Sequence, residues 1–268
     1  MRIVIKVGTS TLAHNTGLLN IKRVENMCKV ISDLKNAGHE IILVSSGAIG
    51  MGLGKLGLEK DDNDIPTKQA AAAIGQCELM YTYDRLFSEY NHTVAQILMT
   101  GAYVTIEDYG KNLTNTLFKL LELGVIPVIN ENDTVTTDEI VIGDNDTLGA
   151  TIANTVKADL LILLSDIDGL FTGDPNKDKN AKRIEVVEEI TEEIEKLAEN
   201  RGSILGTGGM ITKINAAKMV TVNGMDMVIA NGKNPEIMYD IINGKGVCTR
   251  FVGRKIKASP RGEAVTDK

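Results

Sequence analysis

Tryptophan is absent from the 268-residue chain, and aromatic residues make up only 4% of it, so any core has to be built from Ile, Leu, Val, Ala and Met. Cysteine is scarce. Cys28, Cys77 and Cys248 lie far apart in no pairing motif. That excludes a disulfide framework and leaves small buried apolar groups or a lone surface thiol. His14, His39 and His92 form no ligand set, and no Ser-His-Asp or Cys-His arrangement stands out. No stretch reaches about 18 apolar residues, so no membrane span is expected. The N-terminus lacks the charged region, apolar run and cleavage site of a secretory leader, and the expected setting is reducing and cytoplasmic. Internal repeats and low-complexity segments are missing. Excess positive charge is missing too. The formal net charge is -7, from 29 basic and 36 acidic residues. This argues against a nucleic-acid partner, although a few local lysines can still hold phosphate.

What is present begins at residues 2–10, RIVIKVGTS. Ile3, Val4, Ile5 and Val7 frame a single lysine, Lys6. A run this apolar reads as a strand covered on both faces. Gly8, Thr9 and Ser10 then break it with a small turn. A charged amine stands at the end of a central strand, beside free N–H groups. Ligands of α/β sheets bind at such strand ends.

The same alternation recurs along the chain. A helix capped by Asn20 is predicted to about residue 36, then a buried strand over 40–44 running into Ser45-Ser46-Gly47. Residues 50–64 are rich in Gly, Lys and Asp and read as irregular. Pro66 suits the first turn of a helix over about 67–89, whose alanines suggest close helix packing. Strands follow at 94–99 and 125–130, with a helix over 109–123 between them. Pro127 suggests an edge position or an irregular start. A helix from 146 or 147 to about 156, a strand over 160–164 and a surface loop over 172–183 come next. Residues 185–200 have Val187, Ile190, Ile194 and Leu197 at helical steps and predict an acidic amphipathic helix. A short helix with Ile214, Ala217 and Val220, a strand at 227–230, a helix over 235–242 and a late, antiparallel strand at 247–252 complete the series. The expected fold is α/β, an open and mostly parallel layered sheet. No linker divides it, and two lobes of one continuous sheet fit better than two domains.

Polar clusters stand at several strand ends: 6–10, 45–47, 130–134, 143–146 and Ser165-Asp166. Their joint placement after apolar runs points to a shared ligand cleft. The segment 206–213, GTGGMITK, is the best phosphate candidate. Its glycines let backbone N–H groups converge on an anion, a helix starting near Thr212 adds its positive end, and Lys213 adds a point charge. It is neither a Walker A motif nor a dinucleotide fingerprint. A surface turn before a helix is the plainer alternative. Lys6 and Lys213 can flank a transferring phosphoryl group, with Asp146 pairing to both or capping a helix. Asp133 suits an ammonium, while Asn145 and N–H groups near Ser46 suit a carboxylate. Asx turns are the alternative for both loops. The acidic residues fit no calcium-binding loop, so Mg²⁺ is expected mainly on nucleotide phosphates.

The stretches IVIKVGTSTL, VSSGAIGMG, PVINENDTV, IGDNDTLGA, LLILLSDIDGLFTGDP and GTGGMITK together resemble the amino acid kinase family, and within it the members that phosphorylate glutamate. The resemblance spans residue 3 to about 250. It implies a three-layer α/β/α sandwich around a mostly parallel sheet. It also implies ATP-dependent phosphorylation of the glutamate side-chain carboxylate, at the first step of proline synthesis. By the same resemblance Lys6 and Lys213 stabilise phosphate and Asp146 organises them. Ser46, Asp133 and Asn145 contact glutamate. Ser165, Asp166, Thr207, Gly208, Gly209, Met210, Ile211, Thr212 and Lys213, with Lys6, contact the nucleotide. Ser165 stands where the family often has threonine, which keeps a hydroxyl. The implied organisation is one kinase domain over 1–255, with an amino-acid lobe to about 158 and a nucleotide lobe from about 159, then a tail over 256–268. The C-terminal PUA domain of many members is not expected. A dimer or tetramer, and proline as an inhibitor at or near the glutamate site, are implied as well. The rival readings are another member, such as N-acetylglutamate kinase, and a non-catalytic nucleotide sensor.

Overall fold

The computed structural model describes residues 1–14, 16–58, 64–100, 106–136, 145–175, 177–199 and 209–254. The strands are β1 Arg2–Val7, β2 Glu40–Ser45, β3 Val94–Met99, β4 Ile126–Glu131, β5 Leu160–Ser165, β6 Val186–Val187, β7 Asp226–Asn231 and β8 Cys248–Phe251. They form one 8-stranded sheet in the order β3-β4-β2-β1-β5-β7-β8-β6. All pairings are parallel except the antiparallel one between β7 and β8. The helices are α1 Thr9–Leu12, α2 Ile21–Asn36, α3 Ala48–Leu56, α4 Ile65–Ser88, α5 Glu107–Glu122, α6 Asn145–Thr155, α7 Glu192–Glu199, α8 Met210–Thr221 and α9 Ile237–Ile242.

Side chains alternate across a strand, so each apolar run supplies both faces of the sheet. Ile3, Ile5 and Val7 pack with Met27 and Ile31 of α2, Leu79 and Phe87 of α4 and Ile241 of α9. Val4 and Ile42 pack on the other face with Leu117 of α5, Ile152 of α6 and Ile214 and Val220 of α8. This is the α/β/α sandwich. Parity puts Lys6 on the same face as Val4, beneath α6 and α8. From β1 the chain crosses to β2 on one side, and from β5 it reaches β7 on the other. The crevice between the carboxyl ends of β1 and β5 is therefore a topological switch point, where open α/β sheets bind ligands.

Four local expectations change. Thr9 and Ser10 open the short helix α1 rather than a plain turn. Residues 48–56 are helical, although 50–64 reads as irregular in sequence. The glycines there serve close packing. A Cβ on Gly52 would stand 1.9 Å from the Ala71 carbonyl oxygen, and one on Gly75 1.8 Å from that of Ala48. Helix backbones can touch that closely only where both lack bulk. Residues 186–187 form an edge strand parallel to β8, and the helix expected over 185–200 begins only at Glu192. Pairing with β8 overrides the helical period, while Ile190, Ile194 and Leu197 still face the core. Finally, β4 lies inside the sheet. Pro127 is tolerated because pairing with β2 begins at Val128, leaving the proline outside that ladder. Among the described residues no helix is long and apolar enough to cross a membrane.

Candidate active site

Lys6, Asp146 and Lys213 come from three elements. Lys6 is the penultimate residue of β1, Asp146 lies in the first turn of α6, and Lys213 in the first turn of α8. Gly149 of α6 lies against the Lys6 stem, leaving room for it to run along the sheet. Lys6 Nζ stands 2.8 Å from Asp146 Oδ1, and Lys213 Nζ 3.0 Å from Asp146 Oδ2. The Thr212 hydroxyl lies 2.9 Å from Asp146 Oδ2 and 2.8 Å from the Gly209 carbonyl oxygen. All three charged residues are buried, Asp146 to 1% exposure. Burial alone would raise the Asp146 carboxyl, but the Lys6 and Lys213 ammonium groups outweigh it and hold the group well below the usual carboxylate range. Asp146 is the second residue of α6 and so not its cap, which corrects the capping alternative; inside the first turn its charge favours the positive end of the helix. Two ammonium groups converge on one carboxylate, and positive charge concentrated in this way suits a site for an anion such as phosphate.

A second constellation adjoins the first because Asn145 and Asp146 are consecutive. Asn145 Nδ2 donates to Ser46 Oγ at 2.7 Å and to Asn130 Oδ1 at 3.3 Å. Asn130 Nδ2 donates in turn to Gln76 Oε1 of α4 at 2.9 Å. Ser46 is fixed at the end of β2 by its own N–H, which donates to the Val7 carbonyl at 3.0 Å. Gly47 follows in the left-handed region at φ 101°, turning the chain into α3 beside Ser46. The preceding Ser45 Oγ is 2.8 Å from the buried Tyr83 hydroxyl. Asp133 is buried in the turn after β4, which is anchored where the Asn132 N–H donates to the Met99 carbonyl.

On the β5 side, Ser165 Oγ donates to Asp166 Oδ1 at 3.2 Å. Asn231, ending β7, donates to Asp168 Oδ1 at 2.8 Å. Gly209 is the extended residue before α8. Met210 is buried in the core, Ile211 is exposed, and the helix starts slightly before the expected Thr212. Thr207 and Gly208 lie outside the described residues, as do Asp138, Glu139, Gly143 and Asp144.

The structure thus joins Lys6, Asp146, Lys213 and Thr212 in one cluster and Ser46 with Asn145 in another. Ser165 and Asp166 lie at the same carboxyl edge of the sheet, without a direct bond to either cluster among the described contacts. Sequence reasoning passed over Gln76 and Tyr83. One signal was present: Gln76 is a polar residue in the buried series Ala72, Gln76, Leu79, Tyr83 of α4.

Comparison with known proteins gives a consistent picture. A model of the amino acid kinase family matches residues 1–231. The chain is 52% identical over 258 residues to a glutamate 5-kinase of Clostridium perfringens, covering 95% of this chain and 96% of that relative. It is 48% identical over 258 residues to a glutamate 5-kinase of Listeria welshimeri, covering 95% and 94%. A glutamate 5-kinase of Thermoanaerobacter sp. is 50% identical over 261 residues, covering 97% of this chain and 70% of the longer relative. Among solved structures, UMP kinase from Ureaplasma parvum has a TM-score of 0.60 at 14% identity, covering 94% of this chain and 98% of that one. That likeness concerns the fold alone.

Proposed function

The chain belongs to the amino acid kinase family and, within it, to the glutamate 5-kinases, and from that membership we propose that it transfers the γ-phosphoryl group of ATP to the side-chain carboxylate of L-glutamate. The product is L-glutamyl 5-phosphate, at the first step of proline biosynthesis from glutamate. The observation that carries the chemistry is the Lys6–Asp146–Lys213 cluster.

A carboxylate acceptor is already ionised at neutral pH, so no general base is required. The obstacle is repulsion between that anion and the phosphates, and the remedy is positive charge aimed at the transferring group. Lys6 and Lys213 supply it from two sides, and Asp146 holds them apart and oriented before substrate arrives. Burial strengthens the effect, because the ammonium groups meet the phosphoryl oxygens in low dielectric. Their preset positions avoid reorganisation during transfer. The start of α8 adds N–H groups for phosphate oxygens.

Ser46, Asn145 and Asp133 serve glutamate in this proposal, and Ser165, Asp166, Thr207, Gly208 and the 209–213 segment serve the nucleotide. The amino-acid lobe then extends to about residue 158 and the nucleotide lobe from about 159 to 255. Mg²⁺ supplies further charge neutralisation to the phosphates when bound. The described residues suit a metal delivered on the nucleotide. Both Asp146 oxygens already face lysines, and no group of three His, Cys, Asp or Glu side chains among the described residues makes a cage. Proline inhibition near the glutamate pocket and assembly into a dimer or tetramer rest on family membership alone.

An acceptor panel tests the proposal. With ATP-Mg²⁺ and purified protein, glutamate should be phosphorylated, and aspartate, N-acetylglutamate and UMP should not. Turnover confined to any of the other three acceptors, or nucleotide binding without turnover, overturns it.

A further inference from the structure

We propose that Gln76, in the middle of α4, is a positioning residue that holds in place the amide orientations of Asn130 and Asn145, which the Glu131 N–H sets, and so keeps the Ser46 hydroxyl committed as a donor toward the acceptor substrate. This rests on the reading of Ser46 and Asn145 as the acceptor pocket.

The orientation of the whole chain of amides is set by one group that can only donate. The backbone N–H of Glu131 lies 2.9 Å from a terminal atom of the Asn130 side chain, so that atom is Oδ1. The other terminal atom, Nδ2, therefore faces Gln76 and needs an acceptor, which Gln76 Oε1 provides at 2.9 Å. Oδ1 of Asn130 also faces Asn145, which must answer with its Nδ2 at 3.3 Å. The second hydrogen of that Nδ2 goes to Ser46 Oγ at 2.7 Å. Ser46 Oγ is thus an acceptor within the protein, and its own proton is turned to donate elsewhere. A hydroxyl in that state suits a carboxylate oxygen of an amino-acid substrate.

Two observations single out Gln76 as more than filler. Its Nε2 is buried and has no hydrogen-bond partner among the described residues. Leucine or methionine would fill the slot and remove the unpaired Nε2, but would take away the acceptor of Asn130 Nδ2. What Gln76 contributes is the oxygen. Its location is also fixed, since the adjacent Gly75 packs its bare Cα against the Ala48 carbonyl, two residues beyond Ser46. The helix that carries Gln76 is registered against the turn that carries Ser46.

The test compares Gln76→Met, which keeps shape and loses the acceptor, with Gln76→Glu, which keeps an acceptor oxygen. Steady-state kinetics should show the KM for glutamate rising about tenfold in Gln76→Met, the loss expected for one buried hydrogen bond. The kcat and the KM for ATP should stay within about twofold, because the lysine cluster is untouched. Gln76→Glu should recover most of the glutamate KM. Equal glutamate KM values in the two variants, or a KM for ATP that rises as much as that for glutamate, overturns the inference. If Gln76→Met does not fold, the pair Gln76→Glu and Asn130→Asp decides. Together they set two carboxyl groups face to face where a donor met an acceptor. Their joint effect on the glutamate KM should exceed the product of the single effects, and a simple product overturns the inference. Failure of the functional reading is distinguishable. It appears in the wild-type enzyme as use of another acceptor or of none, whereas failure here appears only in the variants.

Discussion

Lys6 and Lys213, from opposite ends of the chain, hold the two oxygens of a single carboxylate, one at 2.8 Å and the other at 3.0 Å. Like charges brought this close repel unless something stands between them, and Asp146 does. Its presence makes the double-lysine site affordable in the folded state. The strands explain why the two meet. β1 and β5 are neighbours, and α6 and α8 cover the same face of the sheet, so the first turns of both helices arrive above Lys6.

Removing Lys213 takes away a charge aimed at the transferring group. Lys213→Ala should lower kcat by about 10²–10³, the range seen when one preorganised electrostatic contact is lost. The KM for glutamate should change little, since Ser46 and Asn145 are bonded elsewhere. Lys213→Arg should not restore the rate, because a planar guanidinium cannot replace a compact ammonium in a buried slot. Initial-rate kinetics with both substrates varied measure this, and an alanine variant with unchanged kcat would remove Lys213 from the chemistry.

The Asp146 carboxyl also links stability to pH. Its folded-state pKa is depressed: burial pushes it up, and the two lysines pull it further down. A depressed carboxylate contributes stability that is fully present above its unfolded value of about 4 and is lost as pH falls below it. Asp146→Asn should therefore be less stable than wild type at pH 7 by about 3–5 kcal/mol, because two buried ammonium groups lose their counter-charge. The gap should begin to narrow as pH drops below about 4 and go on narrowing as pH falls toward the depressed folded-state pKa, where the wild type surrenders this contribution and the variant has none to lose. Urea midpoints across that range measure it, and parallel curves for the two proteins would contradict the assignment.

Much of this was legible in the chain itself, for a definite reason. Strands buried on both faces are nearly pure Ile, Leu and Val, so the polar residue ending each one, Lys6 or Ser46, stands out. Asp146 and Lys213 announce themselves less by spacing than by glycine-rich and acidic surroundings. Two features were not legible. Glycine reads alike whether it makes a turn or lets two helices touch, and only α4, packed against α3, decides between them at Gly52 and Gly75. Val186 and Val187 fit a helical period until β8 offers them a ladder. Gln76 lay between these cases, visible as a polar residue at a buried step but silent about its partner, which lies far along the chain on β4.

The cysteines make a separate check on the packing. Cys28 is buried, and burial, aided by Glu25 and Glu89, pushes its thiol far above its ordinary value. Cys248 is buried and its thiol is raised as well, chiefly by burial. Cys77 is exposed. Since the thiolate is the nucleophile, iodoacetamide at pH 8 should modify the native protein at Cys77 alone. Cys28 and Cys248 should react only once denaturant is added. Peptide mapping reads the outcome, and early modification of Cys28 would mean that α2 does not pack as described.

Two glycines of α3 and α4, one inside the contact between the helices and one outside it, should respond to alanine with opposite signs. At Gly75 a new Cβ would fall 1.8 Å from the Ala48 carbonyl oxygen, 2.6 Å from the Gly52 nitrogen and 2.8 Å from the Ala48 carbonyl carbon. These are backbone atoms that no rotamer change can move, so one helix must shift. Overpacking of this kind typically destabilises by about 1–3 kcal/mol, and the rigid partner argues for the upper end. At about 2–4 °C per kcal/mol for a chain of this size, Tm should fall by on the order of 10 °C. Because Ala48 follows the Ser46 turn, the displaced helix should also raise the KM for glutamate. Gly50, on α3, is the control. A Cβ there would meet only the Thr9 methyl at 3.4 Å, an ordinary contact, and alanine favours a helix over glycine by about 1 kcal/mol. Gly50→Ala should therefore leave Tm unchanged or raise it by a few degrees. Calorimetry on the two variants reads both signs, and a Gly75→Ala protein as stable as Gly50→Ala would show that the two helices do not cross where Gly75 meets Ala48 and Gly52.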